Sequence, residues 1–462
     1  MSIGLYSKLI PSIILLVSLN GCAITSQEKK LKNFNQYSEN GDIPSAVEYA
    51  MNYSGYNSKT RQSEHLLWSL QAGSVLQREG QFELSTQLLD SAEVQMRRED
   101  TENTLAKSGE LVGSIATNDA MLDYEAMHYD GVMANTIKAW NFISLGDYKN
   151  ARVELNRAEE RQRRASEYFS NEIIEQKNQL ASSGDIGQFV KRTINSKDMK
   201  YALEDAGIFT GQWQHYNGYV NPFTTYSYGL NLLLVAKDRS DYNNAANAFQ
   251  RVYQLTGSES VKKDYLLAKS LSKKRSASLS NNIWVIVENG QTLTKEEKRL
   301  DIPMFLFSDS ISYVGVALPR LNKRGLAFSN IKINGKSTEL LSDMDKVVAA
   351  EFDKKFPQIL TRELIRMTVK TAGQKLLDQE SDWLGGAGAA YTIATTGADV
   401  RSFTALPSQY QIARLTKKSN EVVVQAGQYR IPVQLDKQSG NHIIWVSATS
   451  KYVTPKVKVF NI

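Results

Sequence analysis

The chain has 462 residues, 42% hydrophobic and 23% charged, and a formal net charge of +6. This length corresponds to about three domains as a prior, and the composition is that of a chain that buries cores rather than one that stays disordered. So small a charge over this length argues against a nucleic-acid binder. The single cysteine, Cys22, leaves no partner for a disulfide within the chain and no thiolate metal site.

At the N-terminus Lys8 precedes a short apolar run over residues 9–19 (LIPSIILLVSL), the charge-then-apolar order of a secretory signal. A bilayer span needs about 20 apolar residues, so this run is too short to remain as one. Leu19-Asn20-Gly21-Cys22 then resembles the lipobox of bacterial lipoproteins. That resemblance implies a diacylglycerol on the Cys22 thiol, cleavage before Cys22 and acylation of the new amino group, as with palmitate. One acyl chain binds a membrane marginally and two or more hold stably, so this would be an anchor without a transmembrane helix. Ala23, where an aspartate would favour inner-membrane retention, points to the outer membrane. The expected layout is a signal peptide over 1–21 and a lipidated tether over 22–29, with the protein facing the periplasm. A mature chain with no cysteine pair suits that oxidising compartment.

Residues 30–268 read as helical, and one pattern recurs in them. Gly41-Asp42-Ile43 leads to Ala46 and Ala50, and Gly80-Gln81-Phe82 to Ser85, Leu89 and Ala92. Gly146-Asp147-Tyr148 leads to Ala151, Leu155 and Ala158, and Ser240-Asp241-Tyr242 to Ala245, Phe249 and Val252. Each is one apolar helix face starting just after a tight turn. The spacing resembles the second half of a tetratricopeptide repeat, with Gly73 and Leu76, then Ala139 and Phe142, at the matching places in the preceding helices. Start-to-start distances of 39, 66 and 94 residues depart from a regular array. The expectation is four degenerate hairpins with insertions, leaving a concave surface for a protein partner. Within them, Arg152 to Arg164 interleaves acids and bases at helical spacing and reads as a salt-bridged, solvated face. The aromatic run Trp213, His215, Tyr216, Tyr219, Phe223, Tyr226 and Tyr228 reads first as packing between helices. Its sharper alternative is a partner surface, for which Trp213, Tyr216, Tyr219 and Tyr226 are the candidates.

Residues 269–281, basic and serine-rich, suggest a linker. Beyond it, 282–462 predicts a mixed β-rich domain. Strand signals run over 283–287, 304–307 and 313–318, and Ile331 to Lys336 adds the Asn334-Gly335 hairpin turn. A helical segment over 342–397 is expected to break at Pro357. Strands over 409–462 finish a small antiparallel sandwich or sheet. The glycine-rich stretch 383–391 lacks the order of a phosphate-cradling loop and reads as close helix packing. The fold class is therefore α+β, tetratricopeptide-like hairpins followed by a β-rich domain with an inserted helical segment.

No constellation for catalysis emerges. His65, His128, His215 and His442 stand singly, and neither a nucleophile elbow nor a Walker loop is present. No catalytic residue, metal ligand or cofactor is assigned. The acids Glu288, Glu296, Glu297 and Asp301 cluster in sequence but read as a charged loop between strands. Three stretches, 145–165, 287–290 with 313–319, and 398–407, resemble uncharacterised proteobacterial lipoproteins of about this length. That resemblance implies an envelope protein with tetratricopeptide-like segments, some such proteins being encoded near lipoproteins that activate peptidoglycan synthases. The leading expectation is a membrane-anchored periplasmic lipoprotein, a non-catalytic protein-binding scaffold supporting cell-wall or envelope-complex assembly. Its partners would be the membrane, through its lipid, and an envelope protein. Two alternatives stay open, an enzyme acting on cell-wall or surface glycans and a structural component of an export or motility assembly.

Overall fold

A computed structural model describes residues 27–106, 123–182, 184–208, 216, 220–273, 279–303, 313–378 and 397–462. Cys22, Trp213, Tyr219, His215 and the glycine-rich stretch 383–391 lie outside them. The helical half is built from paired helices: α1 (27–40) with α2 (Ile43–Ser54), α3 (Leu66–Glu79) with α4 (Phe82–Ala106), and α5 (His128–Ser144) with α6 (Tyr148–Ser182). Two shorter helices follow, α7 (Gly184–Ile194) and α8 (Lys197–Asp205), then the pair α9 (Pro222–Leu234) and α10 (Arg239–Thr256), and α11 (Glu259–Ser272).

The recurring pattern marks the second helix of each pair. Ala46, Ala50, Ser85, Leu89, Ala92, Ala151, Leu155, Ala158, Ala245, Phe249 and Val252 are all buried. The pairs close tightly because small residues permit it. A Cβ on Gly73 of α3 would lie 2.5 Å from Leu89 Cγ, and the Gly73 carbonyl accepts a 2.6 Å hydrogen bond from the Ser85 hydroxyl. The fourth pair has no turn glycine. There Asp238 caps α10 instead, accepting from the Ser240 and Asp241 amides.

The β half contains eleven strands among the described residues: β1 (Asn282–Asn289), β2 (Thr294–Pro303), β3 (Tyr313–Asn322), β4 (Ile331–Ile333), β5 (Lys336–Ser337), β6 (Glu339–Asp343), β7 (Gln409–Thr416), β8 (Glu421–Ala426), β9 (Tyr429–Gln434), β10 (His442–Ala448) and β11 (Lys456–Asn461). They form a five-stranded sheet in the order β11-β10-β1-β7-β6, a four-stranded sheet β5-β4-β8-β9 and a ribbon β2-β3. The Asn334-Gly335 turn, with both residues at positive φ, joins β4 to β5 as its sequence predicts. The two larger sheets face each other as a sandwich. Ile283, Val285 and Val287 meet Ile331, Ile333, Val422 and Val424 across it. The sandwich is not wholly antiparallel, because β1 runs parallel to β10. The central strand is buried on both faces, which is why it reads as a continuous apolar run.

One expectation is corrected. Helix α12 (Met344–Asp378) continues through Pro357 rather than breaking there. Proline removes one intrahelical bond, but Phe352 and Phe356 before it and Leu360 and Leu364 after it are all buried, and this packing keeps the helix continuous. Residues 269–281 join the helical half to the first strand. Their first four residues belong to α11, and the second face of the five-stranded sheet shares one hydrophobic core with the helices. Phe223 of α9 stacks on Tyr410 at 3.6 Å between ring centroids, and Trp140 of α5 meets Trp445 at 4.8 Å.

Candidate functional site

The first helices of the pairs are buried almost all round, α3 over every residue from Leu66 to Arg78 and α5 and α9 over nearly their whole length. Their partners cover one side and the five-stranded sheet covers the other. Polar side chains on that second side hold the β half. The Gln71 amide donates to Ser402 O (3.0 Å) and Thr404 Oγ1 (3.1 Å) and accepts from the Ala405 amide (2.8 Å), all in the segment leading into β7. Arg78 Nε lies 3.1 Å from the Glu288 carboxylate, which also accepts from Ser447 Oγ at 2.8 Å. Asp264 of α11, fully buried, accepts from Tyr226 Oη (2.7 Å), Trp284 Nε1 (3.0 Å) and Arg414 Nε (2.6 Å). The helices and one face of the five-stranded sheet thus share a single core.

The candidate partner-binding aromatics fare accordingly. Tyr226 is fully buried with its hydroxyl on Asp264, so its ring belongs to the core and not to a binding surface. Tyr216 is half-buried, its hydroxyl accepting from the Asp343 amide at 2.8 Å, and burial pushes that hydroxyl up to about 12. The four acids are not brought together. Glu288 pairs with Arg78, Glu296 with Arg320 and Glu297 with Arg299, while Asp301 is exposed. His442 is held by Asn461 at 3.0 Å, and among the described residues no three metal-binding side chains gather. No helix among them is long and apolar enough to cross a membrane.

The structure does assemble ionisable groups that sequence reasoning missed, at the start of α5. Asp130 is fully buried and accepts from Tyr124 Oη (2.6 Å) and the Met127 amide (2.9 Å). Burial, with the Glu351 charge nearby, pushes its carboxyl up to about 7. Glu351 of α12 accepts from the His128 and Tyr129 amides at 2.5 and 3.0 Å, satisfying the exposed N–H groups of the helix start. Beside it lies a cavity of about 30 Å³ lined by His128, Tyr216, Asn221, Lys346 and Glu351. That volume holds a water or two and falls far short of a small-molecule site. A legible signal existed, since Asp130 stands three residues after Met127 just where a helix begins, the spacing of a reciprocal cap.

Two turns further along α5 is Lys138, whose side chain is 1% exposed. Its ammonium lies 2.7 Å from Asp90, 2.8 Å from Glu93 and 3.0 Å from Glu154. Burial alone would raise the Glu93 carboxyl, but Lys138, Arg97 and Arg161 outweigh it and hold it at about 2. Of the stretches singled out in the sequence, 313–319 and 398–407 touch, Ala317 packing on Ala398 and Val400. Nearby, the Thr292 amide donates to Leu406 O at 2.9 Å, and Arg324 Nε donates to Thr292 O at 2.7 Å.

The molecule is thus a stack of helix pairs carrying a β-sandwich on its inner face. No family model, curated protein or solved structure matches the chain.

Proposed function

We propose that this protein is a lipid-anchored scaffold of the bacterial cell envelope, tethered through Cys22 to the periplasmic face of the outer membrane and binding a protein partner there. The observation that supports it is the use of the buried polar groups. Gln71, Arg78, Asp264 and Arg414 join the helical stack to the sandwich, so the interior chemistry goes into making one body. With the inner face filled, partner contact falls to the outer helices, where Val94 of α4 and Val153 of α6 are 45% and 42% exposed. The resemblance to proteobacterial envelope lipoproteins agrees with this reading, and support for cell-wall or envelope-complex assembly is its natural extension.

The anchor is tested by the mass of the mature N-terminus purified from the native host. A lipidated Cys22 is expected, and an unmodified one removes the membrane premise. The scaffold is tested with a photo-crosslinking residue at Val94 or Val153. A discrete protein adduct in living cells is expected, whereas no adduct from either position, nor from other exposed sites on α4, α6 and α10, would overturn it.

A further inference from the structure

We propose that the end of the helical stack nearest the lipid is a docking surface for anionic phospholipid headgroups, formed by Lys29, Lys30 and Lys32 of α1 with Lys59 and Arg61 of the loop after α2. The geometry rests on lipidation at Cys22, and the test below separates the two.

The chain itself brings these cations together. Helices α1 and α2 are antiparallel neighbours, so the start of one lies beside the end of the other, and Lys30 Nζ sits 4.6 Å from the centre of the Tyr53 ring. The loop that follows Tyr53 is closed on itself by a bridge between Asn57 and Gln62. The Asn57 side-chain oxygen accepts from the Lys59 amide at 2.9 Å, and the Arg61 amide donates to Asn57 O at 2.8 Å. A loop fastened in this way presents Lys59 and Arg61 to solvent. Arg61 holds a left-handed backbone, φ 56°, where glycine or asparagine is the ordinary occupant. Five cations and two acids, Glu28 and Glu64, share this end, and all but Lys30 are exposed.

The anchor sets the direction. Five backbone steps separate Cys22 from Gln27, at most about 3.6 Å each, so the start of α1 stays within about 18 Å of the lipidated residue. Electrostatic attraction to an anionic surface acts over about 8 Å at physiological ionic strength. A tether this short lets the cations come into that range, and each one near the surface strengthens the contact about fivefold. The lipid then fixes the protein to the membrane, and the cations fix which end faces it.

Because Cys22 is the only cysteine, and is blocked when lipidated, one added thiol reports on one place. Lipidated Thr60→Cys protein is reconstituted into vesicles of neutral phosphatidylcholine, or of the same lipid mixed with phosphatidylglycerol, and labelled with a bulky water-soluble maleimide. Labelling is expected to slow by at least about fivefold on the anionic vesicles, the effect of a single cation at the surface. It should recover in about 0.5 M salt and in the K29Q/K32Q/K59Q/R61Q background, with Tyr452→Cys at the opposite end of α1 unaffected. Equal labelling on both vesicles, or equal protection in the charge-neutralised background, would overturn the proposal. So would protection by soluble polyglutamate but not by vesicles. If the protein fails to float with neutral vesicles, the anchor reading falls. Excess anionic vesicles then test the patch on the unanchored chain, where absent protection overturns it and salt-sensitive protection upholds it.

Discussion

Two buried carboxylates, Glu93 of α4 and Asp130 of α5, behave in opposite ways. Glu93 faces Lys138 at 2.8 Å, while Asp130, two turns away, takes its close hydrogen bonds from the neutral Tyr124 hydroxyl and Met127 amide. Burial pushes both upward, yet Glu93 ends at about 2 and Asp130 at about 7. Depth in the core therefore does not decide the charge state. A cation matched to the carboxylate does, and removing or adding one should move a site from one class to the other.

The largest effect is expected from Lys138→Met. It leaves Glu93 and Glu154 buried without their shared cation, and breaking such a pair costs about 3–5 kcal/mol. Urea denaturation near neutral pH should show that loss, and a loss below about 1 kcal/mol would break the comparison. Arg414→Leu is the sharper test. It leaves Asp264 with only the Tyr226 hydroxyl and the Trp284 indole, a setting like that of Asp130. A loss of about 2–4 kcal/mol is expected, because a buried carboxylate is left without its cation. A comparable loss in the Arg414→Leu/Asp264→Asn double variant would mean that Arg414 acts through packing on Trp284, whose ring centre lies 4.1 Å from its guanidinium.

The pH dependence of the unaltered protein separates the two acids by sign. Glu93, lowered from 4.5 to about 2, contributes stability that is present above pH 4.5 and lost as pH falls through about 2. Asp130, raised from 3.8 to about 7, contributes stability that is full below pH 3.8 and lost as pH rises through about 7. Asp130→Asn keeps an oxygen for the same donors and cannot ionise. Between about pH 5 and 8 its stability should fall less than that of the parent, by on the order of 1–3 kcal/mol. Parallel stability curves for parent and variant would show that Asp130 does not titrate in this range.

The sequence and the structure agree most where one local pattern decides the outcome. The turn-plus-small-residue signature located the second helix of all four pairs, because a buried face at helical spacing is set within ten residues. The Asn334-Gly335 hairpin was legible for the same reason. What the pattern could not show is what each pair packs against. Arg78 and Asp264 look like ordinary polar residues until strands some 20 to 210 residues away arrive beside them. Lys138 is likewise unreadable from its own helix, because its carboxylates come from two other helices. The packing of the helices on the β half follows from contacts of this long-range kind, which a local repeat-like pattern does not encode.

The smallest effect belongs to the pair that looks strongest by geometry alone. Glu160 on α6 accepts from Arg163 at 2.7 Å and from Arg164 at 2.7 Å, and these partners hold its carboxyl at about 2, as low as that of Glu93. Its setting differs in one respect, for both arginines are more than 60% exposed. Water and salt screen the attraction there, and holding two long side chains in one geometry costs entropy. Glu160→Gln should therefore leave the urea midpoint unchanged within error and unaffected by added salt. A clear loss would mean that the arginines of α6 are not free in solution but already engaged, and that the outer face is part of the folded body instead of a surface left for a partner.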